Sequence, residues 1–138
     1  MDVERIEWRG EPLAYLVRAS TKPDQTTFVT PDNFNFQLGF VVYPAGGDIV
    51  PHVHLPIERH IVGTSEVLFV REGRCEVDFY SPERDFVETK ELVRGDVMLL
   101  LTGGHGFRML EDTVLLEVKQ GPYTGLREKD RFEHLDHQ

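Results

Sequence analysis

The sequence predicts an all-β protein, on three observations. Apolar and polar residues alternate at period two along much of the chain, and Gly, Pro, Asp or Asn interrupt the runs at intervals of roughly ten residues. No window carries a sustained 3.6-residue apolar stripe. Such spacing favours a sandwich or barrel. In chain order, Val3-Trp8 and Leu13-Val17 read as amino-terminal strands suited to a sheet edge. Phe34, Phe36, Leu38 and Phe40 alternate with Asn35, Gln37 and Gly39, which predicts a half-buried strand running on into Val41-Val42-Tyr43. Glu66-Arg71 and Arg74-Tyr80, separated by Glu72-Gly73, predict a β-hairpin closed by a tight glycine turn. Further strands are expected at Asp85-Thr89, Asp96-Leu101, His105-Leu110 and Thr113-Lys119. The residues from Gly125 to Gln138 are compatible with one short charged helix.

One domain is expected from 138 residues of ordinary globular composition, 40% hydrophobic and 28% charged. A chain of this size needs neither disulfides nor a structural metal to fold, so any metal is free to be functional. Cys75 is the only cysteine, which excludes an internal disulfide framework and a thiolate zinc cluster and fits a reducing compartment, the cytoplasm by default. There is no amino-terminal basic region followed by an apolar run, and no apolar stretch of spanning length, so neither secretion nor a membrane is expected. The formal net charge is -9 and the 15 Lys and Arg residues are scattered singly, which argues against nucleic acid as a partner.

His52 and His54 stand in Pro51-His-Val-His54, a spacing that sets both imidazoles on one face of an extended segment. Neutral imidazoles suit Fe, Mn, Ni, Cu or Zn. The pair by itself fits either a metal site or two solvated histidines.

The wider pattern resembles the two motifs of the cupin superfamily, over about residues 36 to 120. The first is filled by Gly46, five residues, His52 and His54, then Glu66, six residues and Gly73. It departs from the family in the eleven residues between His54 and Glu66, a much longer gap than usual, with Glu58 at the shorter spacing. Glu66 and Glu58 therefore compete as the carboxylate; Glu66 is preferred because it opens a strand. In the second motif Gly95-Asp96 and Gly103-Gly104-His105 correspond, but Leu101 replaces the family's proline, the turn is one residue shorter and the trailing asparagine is absent. The resemblance implies a single cupin domain over 1-138, a double-stranded β-helix or jelly-roll barrel. It also implies one divalent metal ion (Fe, Mn, Zn or Ni) on His52, His54, Glu66 and His105. Gly63-Thr-Ser-Glu-Val-Leu68, Gly103-Gly-His-Gly-Phe107 and Glu117-Val-Lys-Gln-Gly-Pro-Tyr123 further resemble small cupin-fold metalloproteins associated with bacterial surface-polysaccharide gene sets. Barrels of this family pair through edge strands, so a homodimer is expected, with Trp8 buried at its interface.

Arg59 and His60 lie in the long insertion; Arg59 suits a carboxylate or phosphate, or else a solvated salt bridge to Glu58. Glu117 and Lys119 share a strand face with Leu115, which meets either water or a polar cavity, with solvent the expectation. Tyr123 follows the Gly-Pro turn, and Gln37 shares a face with Asn35; both are candidate cavity residues beside Arg59 and Lys119. Two functions compete. One is an enzyme of dioxygenase or isomerase type acting on a small organic or sugar-derived anion. The other is a non-catalytic module that binds a small molecule or sugar. A general acid or base separates them, and His60, Glu58 and Tyr123 are the candidates, none with a recognisable partner, so no catalytic residue is assigned.

Overall fold

The computed structural model describes residues 3–125 and 128–133. These form an all-β structure, 43% strand and without helix. Ten strands follow in order: β1 (Val3–Trp8), β2 (Glu11–Val17), β3 (Thr27–Phe28), β4 (Gly39–Phe40), β5 (Glu66–Glu72), β6 (Arg74–Tyr80), β7 (Phe86–Val93), β8 (Val97–Leu100), β9 (Gly104–Met109) and β10 (Val114–Lys119). No helix among them is long and apolar enough to cross a membrane. The described part of the expected carboxyl-terminal helix, residues 128–133, is not helical; residues 126–127 and 134–138 lie outside the described residues.

The chain divides into two compact units. The larger contains the amino-terminal strands and the chain from Thr64 onward. It carries a five-stranded antiparallel sheet in the order β1-β2-β8-β5-β10 and a three-stranded one in the order β7-β6-β9. Both sheets feed one core: Ile6, Leu13, Leu16, Leu68, Val70, Met98 and Leu100 from the first, and Cys75, Val77, Phe79 and Leu92 from the second. The central strands β2 and β8 read as continuous apolar runs because Tyr15, Val17 and Leu99 are buried as well as their core-facing neighbours. At the sheet edge, β10 turns Val114, Leu116 and Val118 outward, about half exposed. Trp8 packs against this same core with the Arg9 guanidinium 4.3 Å from its ring and stays partly exposed.

The expected hairpin of Glu66-Arg71 and Arg74-Tyr80 is not formed. Both segments are strands, but β5 pairs with β8 and β10, and β6 with β7 and β9. At Gly73 the chain passes from one sheet to the other with φ of 88°. A Cβ there would sit 2.2 Å from the Asp112 carbonyl oxygen, so both backbone conformation and space demand glycine.

In the smaller unit, Lys22–Gly63, β3 pairs with β4. The predicted strand from Phe34 shrinks to Gly39–Phe40. Gln37 displaces the rest: its Nε2 donates to the carbonyls of Pro31 and Phe34 at 2.9 and 2.8 Å, and its Oε1 accepts from Thr30 Oγ1 at 2.9 Å. A side chain that satisfies local backbone groups in this way stabilises a loop against a ladder.

Candidate metal centre

The four residues designated from the sequence fall as two pairs, one in each unit. In the larger unit Glu66 opens β5 and points into the structure with Leu68 and Val70, the three being the buried alternate positions of the strand. His105 stands on β9 opposite Phe79 of β6. Together they bring His105 Nε2 to 3.7 Å from Glu66 Oε1. Burial holds the His105 pKa below the ordinary imidazole value, against the upward pull of the Glu117 charge, so at neutral pH the ring is uncharged and keeps a lone pair.

Glu117, which the sequence does not single out as a ligand, joins this pair through a hydrogen bond to Glu66. In the β5–β10 ladder Glu117 lies opposite Leu68 and Lys119 opposite Glu66, and cross-strand partners share a face. The register thus sets Glu117 and Lys119 on the Glu66 side of the ladder, where Glu117 is exposed, in line with the solvent face expected from the sequence, and Lys119 is partly buried. Burial, and then a hydrogen bond to Glu117, raise the Glu66 pKa to about 7. Glu117 is the more exposed partner and is held below the ordinary value, first by that hydrogen bond and then by Lys119 and Lys129. The pair therefore carries one proton between two carboxylates over the range from ordinary carboxylate values to about pH 7.

The consequence for stability has a definite sign. The folded-state pKa of Glu66 lies above its unfolded value, so the protonated side chain contributes stability fully below about pH 4.5 and loses it as pH rises to about 7. Chelator-treated protein is expected to become less stable to urea across that window, and Glu66→Gln is expected to flatten the dependence. A stability profile in which wild type and variant run parallel would contradict the shared proton.

In the smaller unit His52 and His54 are exposed, with ring centroids 5.2 Å apart and planes at 67°. His52 Nδ1 lies 2.9 Å from the Val50 carbonyl oxygen. A carbonyl only accepts, so Nδ1 carries the proton and Nε2 keeps its lone pair, the arrangement by which backbone orients metal-binding histidines. Glu58, Arg59 and His60 are exposed in the same unit, and Arg59 makes no ion pair among the described residues, with Glu58 or any other acid. Among the described residues no group of three or more His, Cys, Asp or Glu side chains is arranged to hold a metal ion.

The donor chemistry nevertheless fits one. A gap of 3.7 Å between a neutral imidazole nitrogen and a carboxylate oxygen is too long for a hydrogen bond. It suits two ligands on one ion at bond lengths of about 2.1 Å each. Of the other candidates, Lys119 ion-pairs with Glu128 at 3.7 Å. Tyr123 follows the cis Gly121–Pro122 peptide and is 83% exposed. Gln37 has its amide engaged within its own loop.

Gly95-Asp96, noticed only as part of a motif, is an architectural element. Asp96 is 1% exposed and accepts from Arg18 Nη1, Ala19 N–H and Val93 N–H at 2.9, 2.9 and 2.8 Å. Comparison with family models, with curated proteins and with solved structures finds no match to this chain.

Proposed function

We propose that this protein is a small cupin-type metalloprotein, folded as a jelly-roll barrel, that holds one divalent ion through His52, His54, Glu66 and His105. Its reaction is on a small organic or sugar-derived anion. The observation that carries this reading is the approach of a neutral His105 and a buried Glu66 at a distance suited to ligation and not to a hydrogen bond. His52, with Nδ1 committed to a backbone carbonyl, offers a second oriented nitrogen, and His54 beside it a third.

A bound ion supplies Lewis acidity or, if it is iron, a centre for oxygen chemistry. The chain's own residues do the rest. Glu66 gives up its proton to become a ligand. Glu117, hydrogen-bonded to it, is then the nearest group able to accept a proton from a bound molecule and return it. That group favours an enzyme over a carrier, because binding alone needs no proton acceptor beside the ligand. Lys119, on the same face, supplies the positive charge that an anionic ligand requires.

Elemental analysis of untagged protein purified without chelator tests the reading. Near-stoichiometric iron directs the search to dioxygenation, and zinc, manganese or nickel to isomerase and lyase substrates. His52→Ala, His54→Ala and His105→Ala are each expected to lower metal occupancy roughly tenfold or more while the protein stays folded. Unchanged occupancy in all three sinks the site.

A further inference from the structure

The segment 128–133 lies along the end of the larger unit that carries Glu66 and His105. Its first described residue, Glu128, presents one carboxylate oxygen to each of two donors. Thr64 Oγ1 donates to Oε2 at 3.0 Å, and Lys119 Nζ stands 3.7 Å from Oε1. Thr64 is two residues before Glu66, and Lys119 is the ladder partner of Glu66, so both donors are placed by the strand that places the candidate ligand. The side chains of Lys119 and Glu128 are each 22% exposed, while Glu128 as a whole residue is exposed and its bond to Thr64 is open to water.

Other contacts also hold the segment, among them the Arg84 guanidinium 5.5 Å from the centre of the Phe132 ring. Asp130 pairs with Arg84 where both side chains are more than half exposed, and such pairs contribute little. Phe132 sets its ring edge-on to Tyr80 at 4.9 Å and beside Gly104, yet remains 36% exposed.

We infer that the Thr64 hydroxyl and the Lys119 ammonium form a carboxylate-binding subsite beside Glu66 and His105. Glu128 fills it as an intramolecular occupant, so a small carboxylate ligand and the segment 128–133 compete for one place. The inference rests on the metalloprotein reading for the role of the ligand, but the two donors bind a carboxylate with or without an ion. A site occupied most of the time by its own chain loses apparent affinity in proportion, so removing the occupant's charge restores it.

The test uses full-length protein, with metal content measured on every sample, and propionate as the probe, with chloride at equal ionic strength as control. Propionate is expected to speed amide hydrogen exchange in 128–133 several-fold and to saturate. Glu128→Gln is expected to bind propionate about tenfold more tightly by calorimetry. Lys119→Gln is expected to abolish both effects. Exchange unchanged by propionate together with no gain in Glu128→Gln overturns the subsite, as does propionate binding that persists in Lys119→Gln. Full metal occupancy without competition defeats the subsite alone; competition in protein that takes up no metal upholds the subsite and defeats the metal reading alone.

Discussion

Asp96→Ala is expected to lower the free energy of unfolding by about 3–5 kcal/mol, the largest effect of any single side chain outside the apolar core. The carboxylate of Asp96 satisfies two backbone N–H groups, of Ala19 and Val93, and part of the Arg18 guanidinium. Each backbone donor left unmade costs about 1–3 kcal/mol, and loss of a charged partner adds to it. Arg18 also bonds Glu4 at 2.7 Å and the Glu91 carbonyl at 2.6 Å, so Asp96 ties β2 and the β7–β8 turn to the edge strand through one arginine. Urea denaturation measures the change as a fall in midpoint at constant slope. Asp96→Asn, which keeps one acceptor oxygen, should lose less. A midpoint unchanged in Asp96→Ala would mean that water replaces the carboxylate without cost.

The second large effect is expected at Arg108→Ala. Asp78 is 0% exposed although it lies on the strand face opposite the core positions Val77 and Phe79. Arg108 covers it, donating through Nη2 to Asp78 Oδ1 at 3.0 Å and to Glu76 at 3.2 Å, and through Nη1 to Asp78 Oδ2. Gly106 lies directly opposite Asp78 in the β6–β9 ladder. Removing Arg108 strips the guanidinium from a buried carboxylate to which the Thr89 hydroxyl still donates at 2.6 Å. The expected loss is about 3 kcal/mol, at the low end for a broken buried pair because the arginine side chain is 34% exposed. A double-mutant cycle with Asp78→Asn checks it: most of the loss should disappear when the buried charge goes too. Full additivity would show that Arg108 acts by packing and not by charge.

The strands were legible because alternation is a local property. Gly104–Met109 and Val114–Lys119 lie within a residue of the positions expected. What a strand pairs with is not local. Glu66-to-Tyr80 gives the same strand–glycine–strand pattern whether it closes a hairpin or crosses between two sheets, and only the core partners on both sides decide. Phe34-to-Leu38 alternates like a strand, but alternation does not register that one glutamine side chain can satisfy two backbone carbonyls and a threonine hydroxyl. On β10, parity correctly grouped Leu115, Glu117 and Lys119, yet parity does not say which face is inward; the register against Glu66 and Leu68 does. His105 and Glu66 were marked by spacing and are brought together by strands of the two different sheets.

The lone cysteine has a use that follows from where the core puts it. Cys75 is fully enclosed between the two sheets of the larger unit, and burial pushes its thiol pKa up, with the Asp96 charge adding to the effect. A thiol-specific reagent can reach it only when those sheets part. Its labelling rate in native buffer therefore clocks the opening of that unit, a built-in stopwatch that needs no introduced probe.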